Sequence, residues 1–173
     1  MNEDWIRLPV SEGARRKFRS GGWQEWGRRY PMLFDDDDKR NAIKQAARGL
    51  YFYEWLTAMA IYENSGYLSL VTKYAFPSHK KKWRIFNEIA PQPVLKLLSR
   101  DKDRGYGGTQ GPDLFVYKPD ATDWFFVEVK GLTDRMRPPQ KKLFEELELV
   151  SGRDVLVAKF ARVCSRKGRR APA

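Results

Sequence analysis

The sequence predicts an α/β fold, a central mixed β-sheet flanked by helices, on three observations. Two short apolar segments, residues 113–117 and 124–129, are joined by the turn-forming KPDATD of residues 118–123 and read as an antiparallel hairpin. A helical pattern over residues 138–150 then leads into a strand-like DVLVAKFARV at residues 154–163. Upstream, a helical pattern over residues 41–63 leads into the aromatic and β-branched YLSLVTKYAF of residues 67–76. The order helix, strand, long insertion, strand, strand, helix, strand belongs to the α/β class.

Residues 1–40 read as a basic, aromatic N-terminal arm, weakly ordered or wrapped on the core. They carry Arg15, Arg16, Lys17 and Arg19, a Gly21-Gly22 break, and Trp5, Trp23 and Trp26, rings that favour docking over full disorder. Asp35 to Asp38 suit a helix N-terminus, where carboxylates cap free amides and meet the favourable end of the dipole. In the helix that follows, Ala47, Leu50, Glu54, Ala58 and Ile61 recur at three or four residues and share a face, and Gly66 ends it.

The insertion at about residues 77–110 holds Lys80, Lys81, Lys82 and Arg84, one helix near 83–89, another near 93–99, and a charged, glycine-rich loop from 101. Loops of that size are often functional. Pro138 and Pro139 open the next helix, where proline is tolerated, and Gly152 stops it. One domain over residues 41–164 and a basic tail over 165–173 complete the organisation; there is no internal repeat.

Composition narrows the function. The 173 residues include 33 Lys plus Arg against 22 Asp plus Glu, a net charge of +11 that suits a polyanionic partner. The single cysteine, Cys164, cannot form an internal disulfide, and His79 is the only histidine. Zinc clusters and Ser-His-Asp chemistry are therefore excluded, and a reducing, cytoplasmic, nucleoid-associated setting is expected. No apolar run approaches the ~20 residues that span a bilayer, and MNEDWIRLPV is not a secretory signal. No membrane partner is expected, while export by a signal-independent route stays open.

The chemistry gathers at the ends of the two central strands. Asp113 follows Gly111-Pro112, and Glu128 and Lys130 flank Val129. The two carboxylates are 15 residues apart with a turn between them, so a hairpin can set them side by side. Side chains alternate on a strand, so Glu128 and Lys130 share a face and Val129 points into the core, leaving its carbonyl near the site. Two carboxylates and a carbonyl suit Mg²⁺ or Mn²⁺. A neighbouring lysine can hold or help deprotonate an attacking water, as phosphodiester hydrolysis requires. An isolated E-x-K is as often a cross-strand ion pair. The run Trp124-Phe125-Phe126-Val127 before it marks a strand buried on both faces, whose terminal charges need partners.

Gly111-Pro112-Asp113, then Glu128-Val129-Lys130-Gly131, then Asp134-Arg135, then Gln140 resemble the VRR-NUC branch of the PD-(D/E)XK nucleases. The resemblance is tight over residues 111–163 and looser over 41–76. It implies a restriction-endonuclease-like core, with Asp113 and Glu128 as metal ligands, Lys130 as the catalytic lysine and Gln140 supporting the site from the following helix. The family adds a glutamate on an earlier helix. Glu54, set in the apolar LYFYEWL of residues 50–56, fits better than Glu63, and would serve a second ion or a water. The insertion is longer than in minimal domains of this kind.

Phosphate contacts are expected from Lys80, Lys81, Lys82 and Arg84 and from Arg135, Arg137, Lys141 and Lys142. No recognition-helix or zinc-finger pattern is present, which favours DNA shape over base sequence. The leading expectation is a Mg²⁺- or Mn²⁺-dependent DNA endonuclease of replication or repair, acting on junctions or flaps. A homodimer would suit a symmetric junction. The alternatives are a toxin or antiphage effector with the same chemistry and a non-catalytic nucleic-acid-binding module.

Overall fold

Five strands make one mixed sheet in the computed structural model, which describes residues 2–11, 13–100 and 111–162. They are β1 (Asn2–Val10), β2 (Leu68–Val71), β3 (Leu114–Tyr117), β4 (Trp124–Lys130) and β5 (Val155–Arg162), in spatial order β1-β5-β4-β3-β2. β1 and β4 run parallel to β5, and β3 runs antiparallel to both β2 and β4. The helices are α1 (Ala14–Lys17), α2 (Trp23–Arg29), α3 (Asp36–Ala47), α4 (Phe52–Ser65), α5 (Lys80–Ile89), α6 (Gln92–Arg100) and α7 (Pro138–Ser151). The expected α/β class and helix-flanked mixed sheet are found, and they match a restriction-endonuclease-like core. No helix among the described residues is long and apolar enough to cross a membrane.

The pleat of β4 divides the core in two. Phe125, Val127 and Val129 pack with Phe52, Ala58 and other residues of α4. Trp124 and Phe126 pack with Phe86 of α5, Val94 of α6, and Phe144 and Leu147 of α7. Glu128 and Lys130 continue the parity of Phe126, so they face α7 at the end of the strand.

Several elements depart from the sequence reading. Residues 1–40 are not an arm beside the core, because β1 is a strand of the sheet. Its signal was weak but present: half-buried or buried Ile6, Leu8 and Val10 alternate with exposed Arg7 and Pro9. Proline lacks a ladder donor and is tolerated at an edge, where β1 lies. Phe18 then packs on Trp26 and Phe52, with ring centroids 4.9 and 5.4 Å away.

The helix expected over 41–63 is two helices. Gly49 and Tyr51 take left-handed backbone angles, φ 71° and 59°. Side chains from the N-terminal segment hold the break, with Arg15 Nη2 donating to the Gly49 carbonyl at 3.3 Å and Arg19 Nε to that of Ala47 at 3.1 Å. The shared face shifts accordingly, so that Ala46 is buried whereas Ala47 and Leu50 are exposed.

The strand expected over 67–76 stops at Val71. Thr72 and Lys73 turn the chain at φ 46° and 52°, and the Thr72 N–H donates to the Asp113 carbonyl at 2.8 Å. The glycine-rich loop at 101–110 and the tail at 165–173 lie outside the described residues.

The acidic run does cap a helix. Asp35 is the N-cap of α3, and its carboxylate accepts from the Asp38 N–H at 2.7 Å, while Asp38 accepts from the Asp35 N–H at 3.3 Å. Asp38 also meets Lys82. That lysine is 4 % exposed, and its Nζ lies 2.6 Å from Asp38 Oδ1 and 2.7 Å from the Val71 carbonyl, over the Trp55 ring. Lys82 is therefore corrected from a phosphate-binding residue to a buried tie between α3, β2 and α5.

Burial pushes the Asp38 carboxyl up to about 6, against the pull of Lys82 and with a smaller push from Asp35. An acid whose folded pKa lies above its unfolded value near 3.9 holds its proton better in the folded state. Its contribution to stability is full below about pH 4 and is lost as pH rises through about 6. The expected outcome is a pH slope of stability between 4 and 6.5 that is more negative in the wild type than in Asp38→Asn, by up to ~3 kcal/mol over the window. Urea unfolding at four pH values measures it, and parallel slopes would refute it.

Candidate active site

The β3–β4 register pairs Leu114 with Val127, so one step further Asp113 lies opposite Glu128. Directly opposed residues on antiparallel strands point to the same face. The hairpin therefore brings the two carboxylates together, as the sequence spacing allows. Asp113 Oδ2 accepts from the Val129 N–H at 2.8 Å, which binds the carboxylate to the edge of the other strand.

Glu128 is 2 % exposed, and its Oε1 accepts from Lys130 Nζ at 2.6 Å and from Gln140 Nε2 at 3.0 Å. Lys130 Nζ also lies 3.4 Å from Gln140 Oε1. Gln140 sits in the first turn of α7, where its Oε1 accepts from the Arg137 N–H at 3.2 Å. The same glutamine thus closes the helix N-terminus and holds the Glu128–Lys130 pair. Pro138 and Pro139 occupy the first helical positions and aim this turn at the end of β4.

The electrostatics mark a buried excess of negative charge. Burial pushes the Asp113 carboxyl well above the usual carboxylate range, and the charges of Glu128 and Glu54 add to it, while the Val129 N–H and Lys130 oppose it. Glu54, in the first turn of α4, is also raised, by burial first and then by Glu128 and Asp134, with its own N–H and Arg15 pulling the other way. The N-terminus of α4 thus brings Glu54 into the electrostatic reach of the hairpin. Glu63 is elsewhere, exposed and engaged by Arg29 and the Tyr30 hydroxyl.

Hard oxygen donors at a carboxylate cluster suit a divalent cation, which replaces the missing counter-charge. Among the described residues no three acidic, histidine or cysteine side chains close into a full cage. Mg²⁺ does not require one, because it commonly binds through one or two carboxylates and keeps its remaining positions for water and phosphate.

The glycines flanking the site are there for room. A Cβ at Gly131 would lie 2.8 Å from the Tyr53 ring and 2.9 Å from Asp134 Oδ2, which accepts from the Gly131 N–H at 3.1 Å. A Cβ at Gly111 would lie 3.0 Å from Leu98. Behind Asp113, the buried Tyr74 hydroxyl donates to the Pro112 carbonyl at 2.6 Å and fixes the Gly-Pro-Asp turn.

Three neighbours escaped the sequence reading. Arg15 spans the α3–α4 turn, sits 5.8 Å from the Tyr53 ring centroid and acts on Glu54. Tyr51, strained at φ 59°, and Thr72 line a small pocket with Asp113. The basic cluster around Arg15 was visible in the sequence, but its partner lies 39 positions away. A bulky residue in a left-handed conformation has no sequence signal at all.

Of the expected phosphate contacts, Lys80, Lys81, Arg135, Arg137, Lys141 and Lys142 are exposed. Arg84 is exposed and lies 3.9 Å from Glu88. Arg135 to Lys142 lead into and open α7 beside Gln140, next to the carboxylates.

A family model described as the VRR-NUC domain matches residues 56–160. The match contains Asp113, Glu128, Lys130 and Gln140, and starts two residues after Glu54. No curated protein matches the chain.

Proposed function

Because the chain belongs to the VRR-NUC domain family and is thus a nuclease domain, we propose that it is a Mg²⁺- or Mn²⁺-dependent endonuclease that hydrolyses DNA at branched or flapped structures. The observation that carries this reading is the joining of Asp113, Glu128, Lys130 and Gln140 at the ends of β3 and β4. Asp113 and Glu128 would hold the ion, with the Val129 carbonyl as a further oxygen ligand, and Glu54 would serve a second ion or a water. When bound, the cation supplies Lewis-acid charge to the phosphoryl oxygens.

The chain's own groups do the rest. The Val129 N–H and the Tyr74–Pro112 bond keep Asp113 from swinging. Gln140 orients both members of the Glu128–Lys130 pair. Lys130 offers N–H donors that hold the attacking water and the phosphate oxygen on which negative charge builds. The water oxygen loses a proton to solvent and forms the new bond to phosphorus, while one ester P–O bond breaks and the departing oxygen takes up a proton. Arg135, Arg137, Lys141 and Lys142 bind flanking phosphates without reading bases. A replication or repair role in the cytoplasm accords with the basic charge.

The test is cleavage of blunt duplex, flap, four-way junction and single-stranded DNA, with Mg²⁺, Mn²⁺ or chelator. Divalent-dependent cleavage is expected, strongest on branched DNA, and reduced at least ~10²-fold in Asp113→Ala and Glu128→Ala. Cleavage undiminished in both variants would remove these residues from the site. Tight metal-independent binding without turnover on any substrate would make the protein a binding module instead.

A further inference from the structure

Five of the six tryptophans pack into the two core clusters. Trp83 is in neither: it is 39 % exposed on α5, and its ring makes no ring or cation–π contact among the described residues. It lines a cavity of about 350 Å³ between α5 and α6, together with Asn87, Gln92, Leu95 and Lys96. That volume falls in the range of about 300–1,000 Å³ usual for ligand pockets. The cavity shares Ala75 with the small pocket that Asp113, Tyr51 and Lys73 line, so the two adjoin at that residue.

Charge selects the occupant. Residues 72–100 contain seven Lys or Arg and a single carboxylate, Glu88, which lies 3.9 Å from Arg84. Lys82 is spent on Asp38, but Lys73 and Lys96 are exposed and line the two adjoining pockets. An exposed indole in a basic groove, with the amides of Asn87 and Gln92 on its wall, offers stacking, phosphate contacts and hydrogen bonds to a base edge together.

We propose that the α5–α6 groove holds an unpaired nucleotide of the substrate, its base stacked on Trp83 and its phosphates on Lys73 and Lys96. The groove deepens the nuclease reading and rests on it, and it gives the insertion a role: selecting DNA with a single-stranded segment next to the cleavage point. A base stacks on an aromatic ring whatever its identity, so this selection is for structure and not for sequence.

The experiment is fluorescence anisotropy on the full chain without divalent cation, so that turnover does not enter. The two probes are a labelled blunt duplex and the same duplex with an unpaired tail. The readout is the ratio of their dissociation constants. In Trp83→Ala the preference for the tailed DNA should fall about tenfold, in line with the loss of one stacked base, while Trp83→Phe keeps most of it. An unchanged ratio in Trp83→Ala overturns the proposal, as does an equal loss on both probes, which would indicate a general basic face. An unchanged ratio accompanied by loss of a dimer in sedimentation also overturns it and assigns the groove to a second copy of the chain. Trp83 is exposed, so thermal melting of both variants checks that the fold is intact. Cleavage that survives in Asp113→Ala and Glu128→Ala would sink the catalytic assignment and leave the Trp83 ratio standing; a ratio that survives Trp83→Ala does the reverse.

Discussion

Replacing Lys130 by methionine is expected to lower the cleavage rate by about 10²–10³-fold, the usual worth of a donor placed where negative charge develops. The same substitution should destabilise the protein. Lys130 is 8 % exposed and its Nζ is 2.6 Å from Glu128, which is itself 2 % exposed. Removing one partner of such a pair leaves the other buried and charged, at a cost of about 3–5 kcal/mol. Gln140 still donates to Glu128 at 3.0 Å, so the low end of that range is expected. Glu128→Gln combined with Lys130→Met removes both charges and should recover most of the stability and none of the activity. Single-turnover cleavage and urea unfolding on the same samples separate the two effects. A Lys130→Met enzyme within tenfold of wild type would remove the lysine from the chemistry.

Lys82→Met should give the opposite pattern, a large loss of stability with DNA affinity nearly intact. Its Nζ bridges Asp38 and the Val71 carbonyl inside the protein. Methionine fills the space but leaves Asp38, with only 12 % of its side chain exposed, and a backbone carbonyl without their donor. A loss of about 3–5 kcal/mol is expected near pH 8. It should shrink near pH 5, where Asp38, with a pKa already up to about 6, takes a proton. Asp38→Asn with Lys82→Met should restore part of the stability. The comparison is Lys81→Met, an exposed neighbour, which should leave stability within ~0.5 kcal/mol. Equal melting temperatures for the two lysine variants would refute the buried tie.

Much of the candidate site is legible in the sequence because it is local. Asp113, Glu128 and Lys130 lie on one hairpin, and strand parity with a short turn is enough to put their side chains on one face. Gln140 was legible through the family resemblance, and the two prolines that announce a helix start eight residues after Lys130 place it in that helix's first turn. Glu54 stood out because a carboxylate inside an apolar helix turn needs a reason to be there.

Elsewhere the sequence misled where burial was settled by a distant partner. The basic residues Lys80, Lys81, Lys82 and Arg84 look uniform as text. Yet α5 turns its side chains by about 100° per residue, since 3.6 residues make one turn, so Lys82 points inward while its neighbours point to solvent. Whether an inward lysine is tolerable depends on Asp38, 44 positions earlier. The Gly49–Tyr51 break depends likewise on Arg15 and Arg19, and β1 exists because β5, far along the chain, offers it a free edge.

By itself the sequence determined the α/β class, the hairpin and the carboxylate–lysine set, because alternation along a strand and short-range turns are properties of neighbouring residues. Only the tertiary structure decided that the N-terminal segment belongs to the sheet, that Lys82 is a buried tie and not a phosphate contact, and that Trp83 alone among the tryptophans faces an open groove. Those outcomes turn on which distant groups share a desolvated space, and no window along the chain contains both partners.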